Sequence, residues 1–408
     1  MVFGEMSYNV GNLAEIKTTI RKFEFPYCAR DALEHSEALL MPYLAANPND
    51  DVPQFARDFV REVASEFVFC DVDPLHPLLG VKRRVGLKSS SELSLLEVLC
   101  DHFSKTSQSN ICAGRNQLFL VLFHPITDSR MKILSKLASL AISTRKIHVL
   151  LTIGYWMHWT LPISPDASLH LAQSLVSDFF ILTPSAAPKL QELPQVSPLF
   201  TASLLTSLVQ MYGSKPGKLY KAPPQALLRM VTQWVQENTH LCLAPLQQPK
   251  SGPTGINEFP ATPIVGLFRW TIFSPFHDGR VEITESATEL NTEPTPTLTE
   301  TEKLYSTLHL SLMQGLLTGT HAVNQMIQGR GVSAIELASL VDDLRKELFS
   351  QNVNEPSRNL ALDRFGQAVQ SVISAGCVSG NKNSFMAQLS TLPETRLLSI
   401  LKSHYQIV

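Results

Sequence analysis

Apolar residues recur at steps of three and four along almost the entire chain. Leu93, Leu96, Cys100 and Phe103 follow one another in that rhythm, as do Met131, Leu134, Leu137 or Ala138, and Ala141. Further on come Ala172, Leu175, Phe179 and Leu182, then Leu337, Leu340, Val341, Leu344 and Leu348, and finally Leu362, Phe365, Val369, Val372 and Ile373. An α-helix turns once in about 3.6 residues, so each set shares one face and must be buried against a neighbour. Strand rhythm is scarce: Val281 and Ile283 alternate with polar neighbours, and one run that short builds no sheet. A chain of 408 residues assembled from such pieces predicts an all-α fold, an irregular HEAT/armadillo-like helical repeat scaffold whose stacked helices offer surfaces to partners.

Helix punctuation agrees with the periodicity. Ser89 with Glu92, and Ser333 with Glu336, have the spacing of a capping box, in which hydroxyl and carboxylate each satisfy a free N–H of the first turn. Ser164-Pro165, Ser197-Pro198, Thr262-Pro263 and Pro223-Pro224 each precede an apolar stretch, and proline in a first turn costs no hydrogen bond. The resulting starts, near Ser89, Ser109, Asp128, Lys146, Asp166, Ser197, Pro223 and Thr262, lie roughly twenty residues or more apart. Pairs of about forty residues follow, a HEAT-like period without a repeated residue signature. Upstream, helices are expected over 9–22, 29–46 and 52–69, with a loop over 71–88 that carries Pro74, Pro77, Gly80 and Gly86.

One segment departs from this. Residues 277–302 are rich in Thr, Glu and Pro, with Asp278, Glu282, Glu285, Glu289, Glu293, Glu300 and Glu302 against Arg280 alone. They hold too little apolar surface to offset the entropy of ordering, which predicts a flexible acidic linker. Thr295-Pro296 within it is a candidate for phosphorylation, which would add charge to an acidic tether, though the spacer reading is preferred. The chain thus divides into an N-terminal extension, partly helical, over 1–28, a main α-helical repeat body over 29–276, the linker over 277–302 and a C-terminal helical unit over 303–408.

Composition narrows the function. With 34 basic and 36 acidic residues the net charge is −2, whereas broad phosphate binding wants a basic surface, so direct nucleic-acid binding is expected to be absent or weak. Cys28, Cys70, Cys100, Cys112, Cys242 and Cys377 never form Cys-x-x-Cys, and the first ten residues hold Glu5 and no apolar leader. That usage predicts reduced thiols in the cytosol or nucleus. Between Lys146 and Asp166 no charged residue occurs, but Pro162 and Pro165 end any helix near Leu161, and His148 and His158 interrupt it. The stretch is too short and too polar to span a bilayer and reads as a core helix.

Candidate chemistry is thin. Cys100, His102 and Cys112 lie close together, yet zinc takes two tightly spaced ligand pairs and Cys100 belongs to an apolar stripe. Gly-x-Ser-x-Gly, P-loop and Gly-x-Gly-x-x-Gly patterns are absent. Asp342 and Asp343 are neighbours that diverge by about 100° on a helix, and with Arg345 and Lys346 following they read as a solvated face. His309 and His321 fall in largely apolar helical sequence and read as structural histidines. No residue is expected to be catalytic, to bind a cofactor or to ligate a metal. Lys82, Arg83, Arg84 and Lys88 form a candidate nuclear-import or phosphate-contact patch, though a solvated loop accounts for them as well.

Several strings resemble the Integrator subunit 15 family. They are Arg30-Asp31-Ala32-Leu33, Glu66-Phe67-Val68-Phe69, Glu92-Leu93-Ser94-Leu95-Leu96-Glu97 and Asp128-Ser129-Arg130-Met131 with Leu134, Lys136-Leu137 and Ser139. Thr262-Pro263-Ile264-Val265-Gly266-Leu267-Phe268-Arg269-Trp270 follows, then Tyr305-Ser306, Leu308-His309-Leu310-Ser311 and Leu362-Asp363-Arg364. Their number and order carry the resemblance, which runs from about Ala29 to Ile400; the first 28 residues look like an addition, the acidic linker stands where the family is more basic, and a Pro/His-rich C-terminal tail found in some members is lacking. The resemblance implies a nuclear, non-enzymatic subunit of the assembly that cleaves nascent RNA, attenuates RNA polymerase II and matures small nuclear RNAs. It implies other Integrator subunits as partners, above all the module of subunits ten, thirteen and fourteen, and no cofactor or membrane. The runner-up from the residues alone is a free-standing HEAT-like adaptor that binds peptide segments of partner proteins.

Overall fold

The computed structural model describes residues 10–46, 52–70, 87–105, 109–213, 222–248, 261–277, 299–318, 325, 328–349 and 354–405. Among them the fold is all-α, as the periodicity requires: a helical repeat scaffold whose strands are two residues each, Val332–Ser333 paired in parallel with Val378–Ser379. Much of the acidic stretch and Lys82, Arg83 and Arg84 lie outside the described residues.

Two compact units divide between Phe200 and Thr201. The first contains α1 (Val10–Ile20), α2 (Tyr27–Ala46), α3 (Gln54–Val63), α4 (Ser89–Ser104), α5 (Ser109–Leu122), α6 (Asp128–Thr144), α7 (Ile147–Thr160), α8 (Pro165–Val176) and the short α9 (Pro188–Gln191) and α10 (Leu193–Val196). Packing runs as a ladder: α2 lies on α3, α4 and α5, α4 on α6 and α7, α5 on α7, and α6 on α7 and α8. Leu99, Phe103, Phe119, Leu134, Leu137 and Trp156 fill its core. The charge-free helix α7 is one of the buried rungs, closing at Thr160. Among the described residues no helix is long and apolar enough to cross a membrane.

Helix starts fall where caps and prolines place them, but not every cap works as its spacing suggests. Ser333 does form the capping box: its Oγ accepts from Ile335 N at 3.2 Å while Glu336 Oε2 accepts from Ser333 N at 2.9 Å. Ser89 does not, because α4 already begins there with Lys88 at the cap position. Glu92 is instead buried and accepts from Lys132 at 3.4 Å and Lys136 at 2.5 Å, both on α6. A carboxylate with two lysines on a neighbouring helix gains more than one reaching back to a single N–H. The core face of α4 is accordingly set by Leu95, Leu96, Leu99 and Phe103, and Leu93 points to solvent.

Two π-helical turns explain a second departure. α3 passes into one over Ala64–Val68 and α8 into another over Ser177–Leu182. An i→i+5 turn winds more slowly than an α-turn and shifts the following residues around the axis. Phe179 therefore stays buried while Leu182, three residues on, becomes exposed together with Ile181.

The second unit contains most of α11 (Pro198–Met211), then α12 (Gln225–Glu237), α13 (Ile264–His277), α14 (Glu300–Leu317), α15 (Ala334–Leu348), α16 (Glu355–Ser374), α17 (Lys382–Leu389) and α18 (Arg396–Tyr405). α13 packs on α14, α15 and α16, and α14 on α12 and α16. The helices on either side of 278–298 thus share one core, and the units part upstream of the boundary that composition marks at 277–302. Glu300 and Glu302, counted there as linker, are the first turn of α14: Thr299 Oγ1 accepts from Glu302 N at 3.2 Å, and acidic residues suit the positive end of the helix dipole.

Candidate functional site

A groove of about 440 Å³ opens in the first unit between α3, the end of α5 and the end of α7. Arg57 and Arg61 come from α3, Gln117, Leu120 and Val121 from α5, and Phe123, His124 and Ile126 from the turn that follows it. Trp156, Trp159 and Thr160 come from α7, with Ile163 and Ser164 beyond its end. Ile163 is 64% exposed and Ile126 36%, so apolar rim residues stand open to solvent. Such a lining, mostly apolar with a few convergent polar groups, is the composition of a recognition cleft.

Buried arginine chemistry shapes this cleft. Arg130 is 1% exposed and donates to Leu122 O at 2.6 Å, His124 O at 3.0 Å and Ser65 Oγ at 2.7 Å, with its guanidinium 4.7 Å over the Phe69 ring. It thereby closes the carbonyl end of α5, where cationic donors are favoured, and fixes the turn that presents His124 and Ile126. His124 is held below the usual imidazole range by partial burial and by the nearby cations Arg61 and Arg130. Arg61 pairs with Asp58 at 3.2 Å, while its buried Nε has no acceptor among the described residues. Deeper in, Gln117 Nε2 donates to the Tyr155 hydroxyl at 3.4 Å, and burial pushes that phenol up to about 12.

The clusters singled out in the sequence resolve into packing. His102 is buried and faces Glu37 Oε2 at 3.1 Å, and Arg115 Nε donates to Glu37 Oε1 at 3.1 Å. Burial works against the Glu37 carboxylate, but His102 and Arg115 outweigh it and hold the group below its ordinary range. Cys100 lies in the α4 core, its thiol pushed up by burial, and the Cys112 side chain falls outside the described residues. Among the described residues no three His, Cys, Asp or Glu side chains are grouped to hold a metal ion. Asp343 is not simply solvated: besides Lys346 at 3.2 Å it takes Arg269 NH1 at 2.5 Å, which ties α15 to α13. Asp342 pairs with Arg345 at 3.4 Å. His309 is buried with Nδ1 2.9 Å from Thr271 Oγ1, and burial, then Arg364, lowers it to about 4. His321 lies outside the described residues, and Lys88 is exposed at the start of α4.

Arg364 is the counterpart of Arg130 in the second unit. It is 4% exposed and donates to Thr271 O, Ser274 Oγ and Ser306 Oγ, each at 2.8 Å, and to Glu302. One side chain from α16 thus binds α13 and the first turn of α14. No periodicity argument finds Arg130 or Arg364, since both occupy apolar stripes.

Surface apolar residues complete the picture. Ile163, Ile181 and Leu182 are open on the first unit, and Leu310, Leu317, Ile335 and Phe349 on the second.

A family model described as Integrator complex subunit 15 matches residues 14–394, beginning inside the stretch read as an N-terminal extension. Curated relatives agree over their length. Integrator complex subunit 15 of Drosophila melanogaster is 28% identical over 97% of this chain and 98% of its own. The Homo sapiens protein of the same name is 28% identical over 96% of this chain and 87% of its own, and that of Danio rerio 30% identical over 96% and 81%. The strings that carry the resemblance are also the ones that supply Glu92, Arg130, Arg269, His309 and Arg364, the polar anchors of the two cores. On the family match and on relatives aligned nearly end to end, the chain belongs to the Integrator complex subunit 15 family.

Proposed function

We propose that this protein is a non-catalytic, nuclear scaffold of the Integrator assembly, bridging the module of subunits ten, thirteen and fourteen to the remaining subunits. In that role it would support cleavage of nascent RNA, maturation of small nuclear RNAs and attenuation of RNA polymerase II, with the chemistry supplied by other subunits. Family membership supports its place among Integrator subunits. The observation that carries the bridging role is the presence, on each of two separately packed helical units, of large apolar side chains left in solvent. Exposed Ile, Leu and Phe on helix faces mark surfaces made for other proteins when they group and are rimmed by polar residues.

The non-catalytic reading rests on what the ionisable groups do. Glu37, Glu92, Glu302, Asp343 and His309 each meet a partner that closes a helix packing. An active site sets a nucleophile or an acid–base pair within hydrogen-bond reach around a space for substrate, whereas the groove lining offers one histidine beside two arginines. The test is affinity purification of the tagged full chain from nuclear extract with quantitative mass spectrometry. Recovery of Integrator subunits, with ten, thirteen and fourteen enriched above the rest, is the expected result. Recovery without those three would overturn the bridging assignment.

A further inference from the structure

We propose that the groove between α3, α5 and α7 is a docking site for a short protein segment carrying one or two bulky apolar side chains flanked by carboxylates. This rests on the scaffold reading and names the chemistry of one partner contact. Charge complementarity selects the occupant. Arg57, Arg61 and His124 line the groove, and among the described residues no aspartate or glutamate does. Asp58, the carboxylate that pairs with Arg61, also accepts from Gln54 at 2.8 Å and is mostly solvent-exposed, outside the lining. Arg61 Nε is buried without an acceptor among the described residues, a donor that a carboxylate or a backbone carbonyl would satisfy. His124 is pushed down first by burial and then by Arg61 and Arg130, two cations close enough to act on the same wall of the groove.

The apolar half of the argument is geometric. Trp156 and Phe123 are buried at the floor while Ile126 and Ile163 stand exposed at the rim, so bulky side chains entering about 440 Å³ would meet aromatic surface below and aliphatic surface at the edge. That volume lies within the range of clefts that bury compact ligands. Aromatic anchors in a desolvated pocket, ringed by charge pairs, are the usual energetic centre of such contacts.

The test uses the purified full chain and fluorescein-labelled synthetic peptides read by polarisation. One panel carries Trp, Leu or Phe anchors flanked by Asp and Glu, a second replaces the flanks with Lys, and a third replaces the anchors with Ala. The acidic anchored panel should contain peptides that bind at least about tenfold more tightly than their Lys and Ala versions, with affinity falling as salt rises. Arg61→Glu should weaken the acidic peptides about tenfold and improve the Lys versions. Ile163→Asp, at an exposed rim position that leaves the core intact, should weaken every anchored peptide. Circular dichroism checks that both variants keep their helix content. The proposal is overturned if no acidic anchored peptide binds below about 1 mM, if Arg61→Glu leaves the preference unchanged, or if a single-stranded RNA oligonucleotide occupies the same site more tightly. Because it uses the isolated protein, the assay can fail while co-purification succeeds, and the reverse.

Discussion

Replacing Arg364 by Met should unfold the second unit more readily than almost any other single substitution in it. Its guanidinium holds Thr271 O, Ser274 Oγ and Ser306 Oγ at 2.8 Å and also clasps Glu302, all in a site where Arg364 is 4% exposed. Methionine fills much of the same volume, so little of the loss is cavity. What remains is an uncompensated carboxylate at Glu302 and several unpaired oxygens. Breaking a buried pair by removing one partner costs about 3–5 kcal/mol, equivalent to roughly 6–20 °C in the melting temperature of a unit of this size. Removing the orphaned charge as well, with Glu302→Gln, should recover a substantial part, because the largest cost belongs to the unpaired carboxylate and not to the missing bond. Urea titration of the full chain, followed by circular dichroism, measures all three variants and the coupling between them. If Arg364→Met costs less than about 1 kcal/mol, or if the double variant is no more stable than Arg364→Met, the arginine is not the clamp described.

Further outcomes follow from other contacts. Gly315→Ala should destabilise by about 1–3 kcal/mol in the same titration, although alanine favours helix, because a Cβ there would collide with the backbone oxygen of Thr239. His309 titrates near 4 when folded and near about 6.5 when unfolded. The unfolded state therefore binds the proton first, stability is complete above the unfolded value, and up to about 3 kcal/mol is lost as pH falls from 6.5 to 4; His309→Gln should flatten that slope in thermal melts across the window. Glu92→Gln should cost about 1–2 kcal/mol at neutral pH, since two lysines of α6 hold the carboxylate below its ordinary range, and the difference from the parent should shrink in acid as that carboxylate protonates.

Helix placement was legible because it is a local property. Starts near Asp128, Lys146 and Asp166 match α6, α7 and α8, and the set Leu337, Leu340, Val341, Leu344 and Leu348 is buried throughout. Local rules lapse where tertiary contacts compete with them. Glu92 left its cap for two lysines on another helix, and a π-turn carried Leu182 off its stripe. The groove was invisible for a different reason. Its walls come from residues 57–61, 117–126 and 156–164, and no spacing rule joins positions so far apart. The one available signal was weak: Ile126 and Ile163 stand beside prolines in turns, where polar residues are usual. The compact units divide upstream of the compositional boundary because composition reports where chain is solvated, whereas α13 and α14 pack together whatever lies between them.

The central claim, that both units are bound by different neighbours, is tested most directly by surface variants in the intact chain, because deleting residues 303–408 would strip α13 of its packing against α14 and α16. Ile181→Asp with Leu182→Asp alters the first unit, and Ile335→Glu with Phe349→Glu the second, all at positions at least 69% exposed. Tagged full-length chains carrying either pair are purified from nuclear extract, and the co-purifying Integrator subunits are quantified against the parent. The account predicts that each pair depletes a different set of subunits and leaves the other set at parental level. Parental recovery of every subunit by both variants, or loss of the same set by both, would contradict it.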